Sequence, residues 1–253
     1  MEPFFSIVIH TLNEEGFVGG LMRDLTQQSF TNFEVIHVDG QSEDETCSVV
    51  SSFSKDYALR SLSSDYRNVS YQKNLGAESA KGAYVLFIDA DTRLSDTNFL
   101  STVFKHCTKS KCDMYLPHTT FPDSSPLVKV MEWINNLGVR FSQYTGHPLP
   151  SSGLMIFNRL FFLKLGGYTR DDAQDKNGLF VEDQEIMQRA HKLQSRREFV
   201  ADTSYVFSLR RFHKEGWLNV LGRVLMATVE LVFGVKVRQQ QYEMGGQHYK
   251  KTT

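Results

Sequence analysis

The sequence predicts an α/β fold: a mostly parallel sheet flanked by helices, with an amphipathic helix towards the C-terminus. Three observations carry this. Short strand-like runs alternate strictly with segments of helical period over residues 1–92, the pattern of successive right-handed β-α-β crossovers. The run Tyr84–Ile88 is apolar throughout, as a strand buried on both faces is. Polar and acidic residues follow directly after three of the strands, at the edge where open α/β sheets bind ligands.

Composition sets the scale. A chain of 253 residues, 41% hydrophobic and 23% charged, holds one large domain over 1–215 and an appendage over 216–253. A net charge of −1 gives no general attraction to nucleic acid. Three cysteines, Cys47, Cys107 and Cys112, are an odd number that fits free thiols in a reducing compartment rather than a disulfide scaffold or zinc site. Phe4 follows Glu2-Pro3 without a basic stretch or a long apolar run, so no signal peptide is expected, and the expected location is cytoplasmic. In that setting the sequon Asn68-Val69-Ser70 carries no meaning.

The elements follow in order. Phe4–His10 reads as the first strand. Asn13 can cap the next helix, whose Val18, Leu21, Met22 and Leu25 recur at i, i+3, i+4 and i+7. Phe33–Val38 is the second strand, ending at Asp39-Gly40, and Ser42 with Glu45 forms a capping box for a helix through Phe53. Tyr57–Leu62 is a weaker strand. Ser70 opens a helix that stops at Gly82, a left-handed C′ residue. Tyr84–Ile88 is the fourth strand. Further on, Pro126–Phe141 carries Leu127, Val130, Met131, Ile134, Leu137 and Phe141 on one side, with Lys129, Glu132, Asn136 and Arg140 opposite. That is an amphipathic helix whose apolar side is expected in the core. Gln143–Ser152 reads as a loop in which His147 is a candidate acceptor contact.

The fourth strand ends on Asp89-Ala90-Asp91. Residues i and i+2 of a strand share a face about 6–7 Å apart, so the two carboxylates should point together. They repel by about 2 kcal/mol at an effective dielectric near 20, and a divalent cation with a taste for oxygen, Mg²⁺ or Mn²⁺, reverses the sign. The structural alternative is that Asp89 ends a strand and Asp91 begins a turn. A crevice should then form from His10–Glu14, Asp39–Ser42 and Asp89–Asp91. Asp39 can accept from a base or ribose. Thr11, Asn13 and Glu14 offer a hydroxyl, an amide and a carboxylate, and Lys73 and Asn74 can reach a phosphate and a ribose. Neither GxGxxG nor GxxxxGK[ST] is present.

Together these segments resemble the inverting family 2 glycosyltransferases with a GT-A fold. SIVIHTLNEE (6–15), VDGQSEDET (38–46) and QKNLGAESAKGAYVLFIDADT (72–92) are similar to the family's opening strand with its T-x-N-E loop, its D-G-S-x-D-x-T turn and its approach to the DxD. GLMIFNRLFFLKLGGY (153–168) and VEDQEIMQR (181–189) are similar to its acceptor-side segment and its Glu-Asp helix start. Three places depart from the pattern. His10 stands where proline is common, Gly40-Gln41 replaces a second acid and glycine, and Thr169-Arg170-Asp171-Asp172 stands where Asp-Glu usually follows.

The resemblance implies metal-assisted transfer from a nucleotide-diphosphate sugar, a UDP- or GDP-sugar, to a glycan or lipid-linked acceptor. It divides the domain into a nucleotide-sugar half over 1–92 and an acceptor half over 93–215. Asp183 matches the base position, and Glu182, about 100° away on a helix, is expected to face elsewhere. The alternative for both acids is a plain complement to the helix dipole. The implied donor site comprises Thr11, Asn13, Glu14, Asp39, Gln41, Lys73, Asn74, Asp89, Ala90, Asp91 and Arg211, with Asp91 and His213 on the metal. The basic-aromatic segment SLRRFHKEG (208–216) clusters Arg210, Arg211, His213 and Lys214, of which one or two can close over the diphosphate; a solvated basic turn is the alternative.

Trp217–Val235 is nearly apolar, but Arg223 and Glu230 argue against a membrane span. Its wide apolar face must be covered by the domain, another subunit or a membrane surface. Two other readings stay open. A nucleotidyltransferase of related topology would want a Gly-rich basic loop after the first strand, which His10–Glu15 lacks. A catalytically silent sugar-nucleotide binding module would not need Asp89, Asp91 and Asp183.

Overall fold

A computed structural model of the chain describes residues 2–151, 153–169 and 182–216, without the side chains of Arg211, His213 and Glu215. Its seven described strands are β1 (Phe5–Thr11), β2 (Phe33–Asp39), β3 (Ala58–Ser63), β4 (Tyr84–Asp89), β5 (Met114–Thr120), β6 (Leu154–Asn158) and β7 (Arg197–Val206). They form one sheet in the order β3-β2-β1-β4-β6-β5-β7. β6 runs antiparallel to β4 and β5, and every other pairing is parallel. The helices are α1 (Val18–Thr26), α2 (Thr46–Ser51), α3 (Val69–Ser79), α4 (Phe99–Ser110), α5 (Pro126–Ser142), α6 (Arg159–Lys164), α7 (Glu182–Lys192) and α8 (Arg210–Glu215).

Alternation along the strands divides the interior into two cores. Phe5, Ile7 and Ile9 of β1 join Leu86 and Ile88 of β4 and the apolar faces of α1 and α4 on one side. Val8, Val38 and Phe87 join Phe162, Ile186 and Met187 of α6 and α7 on the other. The central strands are therefore buried on both faces, which is why they read as nearly unbroken apolar runs.

Register sets up the crevice. Thr11 lies opposite Asp39 in the β1-β2 pair, and His10 lies opposite Asp89 in the β1-β4 pair. The three loops expected to meet thus leave the sheet at one edge.

Five local expectations are corrected. Asn13 does not cap α1; Phe17 holds the N-cap position without a side-chain bond. Asn13 instead adopts φ 55°, and its Oδ1 accepts from the Glu43 amide at 2.7 Å. The Ser42-Glu45 capping box does not form, because the Ser42 hydroxyl donates to Asp39 at 2.6 Å and α2 begins at Thr46. Asn68, not Ser70, caps α3, accepting from the Tyr71 amide. α3 ends in the extended residue Ala80, and Gly82 is needed for space rather than handedness: a Cβ there would lie 2.6 Å from the Ser6 amide nitrogen.

The fifth correction is the orientation of α5. Its buried residues are Val128, Asn136, Val139 and Ser142. Leu127, Val130, Trp133, Ile134, Leu137 and Phe141 face outward, with Trp133 63% exposed. Hydrogen bonding fixes this choice. The β5-β7 register shifts between Pro117 and His118, and Asn136 then both accepts from the Thr119 amide and donates to the Thr119 carbonyl. Glu132 takes the Phe121 amide at 2.8 Å. Leaving such backbone groups unmade in the interior costs about 1–3 kcal/mol each, so the polar side docks.

Candidate active site

Two loops form the first wall. Asp39, at the end of β2, is held by the Thr11 hydroxyl at 3.1 Å and by the Ser42 amide and hydroxyl at 2.9 and 2.6 Å. The Asn13 amide donates to Ser42 Oγ and the Glu14 amide to Thr46 Oγ1, so the loops after β1 and β2 are laced together. Gly40 is required by close approach: a Cβ would fall 2.1 Å from the Gln72 side-chain nitrogen. Next to it, Gln41 is exposed with φ 65°, and its carbonyl accepts from Arg67. Within the wall, Asn13 Nδ2 and His10 Nδ1 are buried with no protein hydrogen-bond partner. Such atoms are costly unless a ligand or water meets them.

The Asp89-Ala90-Asp91 turn forms the floor. Asp89 Oδ1 lies 3.5 Å from His10 Nε2, whereas Asp91 Oδ2 lies 3.2 Å from Arg210 Nε. Ala90 between them is buried in the core. The two carboxylates therefore have separate partners. Burial pushes the Asp89 carboxyl up to about 7, with the carboxylates of Asp91, Asp183 and Glu182 adding to it and Lys73 opposing. Burial likewise lowers His10 to about 3, assisted by Lys73, so His10 is neutral. Gly153, with φ 77°, leaves room here, since a Cβ would press on Phe207 at 2.9 Å and Asp89 at 3.3 Å.

Arg210 crosses the mouth. Its guanidinium pairs with both Glu14 oxygens at 2.8 and 3.0 Å and lies 4.1 Å from the centre of the Phe17 ring. Burial raises the Glu14 carboxyl, against the pull of Arg210.

The second wall comes from α3 and α7. Lys73 is 3% exposed and reaches Glu182 at 3.1 Å and Asp183 at 3.0 Å. Burial works against its charge, but Asp183, Tyr168, Glu182 and Asp89 hold it well above the usual lysine value. The Tyr168 hydroxyl donates to the same Asp183 oxygen, Oδ1, at 3.0 Å. Asn74 fixes Tyr168 in turn, donating to its carbonyl and accepting from its amide, both at 2.8 Å. Gly167 permits this with φ 71°; a Cβ would lie 2.4 Å from Asn74 Oδ1.

The sequence profile described as Glycosyl transferase family 2 matches residues 6–166. The chain belongs to that family.

Those residues form a glycosyltransferase domain. Poly(ribitol-phosphate) beta-N-acetylglucosaminyltransferase TarS from Staphylococcus aureus (strain MW2) is 24% identical over 218 residues, which cover 82% of this chain and 36% of TarS. The chain thus spans about a third of that relative. A PGL/p-HBAD biosynthesis glycosyltransferase from Mycobacterium bovis (strain BCG / Pasteur 1173P2) is 31% identical over 103 residues, 40% of each chain. In shape the chain matches S. aureus TarS 1-349 in complex with UDP-GlcNAc, with TM-score 0.65, 20% identity and coverage of 82% of this chain and 58% of that one. It also matches mannosyltransferase PcManGT from Pyrobaculum calidifontis in complex with GDP-Man and Mn²⁺, with TM-score 0.69, 18% identity and coverage of 89% and 65%. The sheet and helices are those of a family 2 GT-A protein.

Within this family 2 frame Thr11, Asn13, Glu14, Asp39, Asp89, Ala90 and Asp91 lie at or just beyond the C-terminal ends of β1, β2 and β4, and Lys73 and Asp183 pair with each other. Three positions differ from expectation. Glu182 does not face elsewhere: it and Asp183 share Lys73, because the buried ammonium draws both. Asn74 spends its amide on the Tyr168 backbone rather than facing a ribose. Lys73 is bound by carboxylates rather than directed at a phosphate. The side chains of Arg211 and His213, along with Val181, Arg170-Asp171-Asp172 and Trp217–Val235, lie outside the described residues.

Arg210, of the basic cluster at 208–216, and His10, of the expected crevice segment His10–Glu14, both take part, and Tyr168 takes part without having been named as a site residue. Tyr168 ends the quoted Gly-Gly-Tyr, and Arg210 is one residue from the expected Arg211, so a signal existed for both. Among the described residues no three His, Cys, Asp or Glu side chains gather as a metal shell, and no helix is long and apolar enough to cross a membrane.

Proposed function

We propose that the chain transfers a glycosyl group, with inversion, from a UDP- or GDP-sugar to a hydroxyl or phosphate acceptor on a glycan or lipid-linked molecule. The observation that carries this is the junction at Lys73, which brings the Asp89-Ala90-Asp91 turn and the Asp183 helix to one crevice. The UDP-GlcNAc, UDP and GDP-Man complexes of the TarS and PcManGT neighbours support a nucleotide-sugar donor.

In this reading Asp39, Thr11, Asn13 and Gln41 line the base and ribose, and the unpartnered Asn13 Nδ2 finds its acceptor on the donor. Lys73 and Tyr168 hold Asp183 through Oδ1, and Oδ2 takes the proton from the acceptor O–H. The freed oxygen attacks the sugar C1 from the side opposite the diphosphate. As the new C–O bond forms, the C1–O bond to the diphosphate breaks and the electron pair leaves with the nucleoside diphosphate. Arg210, already at the Glu14 and Asp91 carboxylates, faces the departing charge. Arg211 remains a candidate for the same task.

Asp91 fits a divalent cation: its carboxylate is a hard oxygen donor that already holds a cationic group, with Asp89 adding to the local negative charge. Asp91 would hold Mg²⁺ or Mn²⁺, with His213 as a further candidate ligand, and the ion would neutralise the leaving diphosphate. The Mn²⁺ complex of PcManGT supports this.

A melting-temperature panel of nucleotide-sugars with and without Mn²⁺ tests the reading, since a ligand at 100 times its Kd stabilises by about 2.7 kcal/mol. It should be followed by release of nucleoside diphosphate on adding acceptor. No shift with any UDP- or GDP-sugar would overturn the proposal. Consumption of a nucleoside triphosphate with a sugar phosphate would favour a nucleotidyltransferase, and a shift without release across acceptors a silent binding module.

A further inference from the structure

Two features outside the crevice meet at the C-terminal end of α5. The first is a cavity of about 190 Å³ where Arg140, Gln143 and Tyr144 face Arg197 and Phe199 at the start of β7. Arg197 pairs with Met114, the first residue of β5, and β5 runs the same way as β4 because β6 is antiparallel to both. The cavity therefore lies at the sheet edge away from the Asp89-Ala90-Asp91 turn.

Its cations are unanswered. Arg197 is half-buried and donates to the Ser195 hydroxyl at 3.2 Å and the Gln143 carbonyl at 3.0 Å, with His191 Nδ1 at 3.4 Å. These partners carry no negative charge, Nε is buried and unmet, and burial lowers the guanidinium pKa with no carboxylate opposing it. Arg140 is exposed, and among the described residues neither arginine is paired with an acid. Glu198 also lines the cavity, but His106 holds it at 2.5 Å. Two like charges on one cavity repel, and an anion between them reverses the sign. Phosphate oxygens match the guanidinium fork best.

The second feature is the apolar stripe on α5. Leu127, Val130, Trp133, Ile134, Leu137 and Phe141 are all exposed, on the side of the helix opposite its hydrogen-bonded face. Six large apolar side chains in one stripe exceed the scattered exposure normal for a soluble surface. At 100° per residue, Arg140 and Lys129 stand about 20° and about 40° beyond Trp133 on one flank of the stripe. Lys129 is held by Glu132 at 3.1 Å, which leaves Arg140 and the cavity behind it as the positive flank.

We propose that α5 docks on a lipid surface bearing anionic phosphate headgroups, with its apolar stripe in the acyl boundary and a headgroup phosphate in the Arg140–Arg197 cavity. An apolar helix face bordered by cations is the arrangement that lies in a membrane interface, aromatic and aliphatic side chains inward and basic ones at headgroup level. Charge decides against a second copy. An isologous contact would bring the same stripe and the same two arginines, and the stripe has no carboxylate to answer them. The cavity lies apart from the donor and base residues, so the docking and the proposed transfer stand or fall separately.

The chain has two tryptophans, Trp133 and Trp217, so Trp217→Phe in the 253-residue chain leaves Trp133 as the sole reporter. With vesicles of equal parts phosphatidylcholine and phosphatidylglycerol, and no nucleotide-sugar present, the protein should sediment and Trp133 emission should shift to the blue. Arg140→Gln should weaken this binding about fivefold. Ile134→Gln with Phe141→Gln should weaken it more than tenfold, and since all three side chains are exposed the melting temperatures should stay near that of the parent. No sedimentation with the mixed vesicles overturns the proposal, as does equal binding to phosphatidylcholine alone or undiminished binding by the Ile134, Phe141 variant. A melting temperature raised by inorganic phosphate without vesicle binding overturns it in favour of a soluble phosphate. A blue shift without lipid overturns it as well: in favour of a second copy if the shift grows with protein concentration, and of cover by the chain itself if it does not.

Discussion

The Lys73 ammonium lies 3.0 Å from Asp183 Oδ1 across 110 residues of sequence. This contact joins α3, which lies between β3 and β4 in the chain, to α7, which carries the proposed base. Glu182 shares the ammonium at 3.1 Å, so one buried cation holds two acids in place. Removing one partner of a buried pair leaves the other charge uncompensated, which makes this contact costly to break from the lysine side.

Lys73→Met should therefore destabilise the fold by about 3–5 kcal/mol. Combining it with Glu182→Gln should recover part of that loss, because one unpaired carboxylate disappears. Denaturant titration of the two single variants and the double variant measures the coupling. Strict additivity would show that the lysine contributes only packing.

Asp91→Ala should abolish the Mn²⁺-dependent part of nucleotide binding and leave the fold intact. Arg210 keeps both of its bonds to Glu14, and the crevice loses a repelling carboxylate. Isothermal titration with UDP or GDP, with and without Mn²⁺, reads this. Metal-dependent affinity unchanged from the parent would remove Asp91 from the metal site.

Away from the crevice, His106 ties α4 to β7 through Glu198 at 2.5 Å and Asp202 at 2.8 Å, with Cys112 Sγ 3.9 Å from Glu198. Burial lowers the imidazole pKa, but the two carboxylates more than offset this, leaving it above the usual histidine value. A raised folded pKa means that the folded state binds the proton more tightly than the unfolded one. The stabilisation is thus fully present below about pH 6.5 and lost as pH rises through the raised value. His106→Gln should cost up to about 1 kcal/mol in mild acid, the range for solvent-accessible pairs, and nothing at high pH. Melting curves across pH check it; a gap independent of pH would mean that the imidazole acts uncharged.

The central strands were legible because burial on both faces leaves an apolar run with polar residues at its end, as at Tyr84–Asp91. What failed was information that lives in three dimensions. The period of α5 reveals two faces, but the backbone gap at Thr119 that Asn136 fills decides which one docks. Ser42 has the right spacing for a cap, yet Asp39 competes for its hydroxyl and wins. Nothing local to Glu182 shows that a lysine 109 residues away will draw it inward. Arg210 and Arg211 are adjacent and chemically alike, so the sequence alone does not say which of them meets Glu14 and Asp91.

Whether Asp183 takes the acceptor's proton is read by single-turnover transfer with Asp183→Asn. The amide keeps the size and hydrogen-bonding reach of the carboxylate but cannot accept a proton at neutral pH. Transfer should fall by about 10²–10⁴-fold, with donor affinity and Mn²⁺ affinity near those of the parent, whereas Glu182→Gln should lose far less. An Asp183→Asn protein that transfers sugar at the parental rate would rule out Asp183 as the base and leave the carboxylate as a partner for Lys73 and the start of a helix.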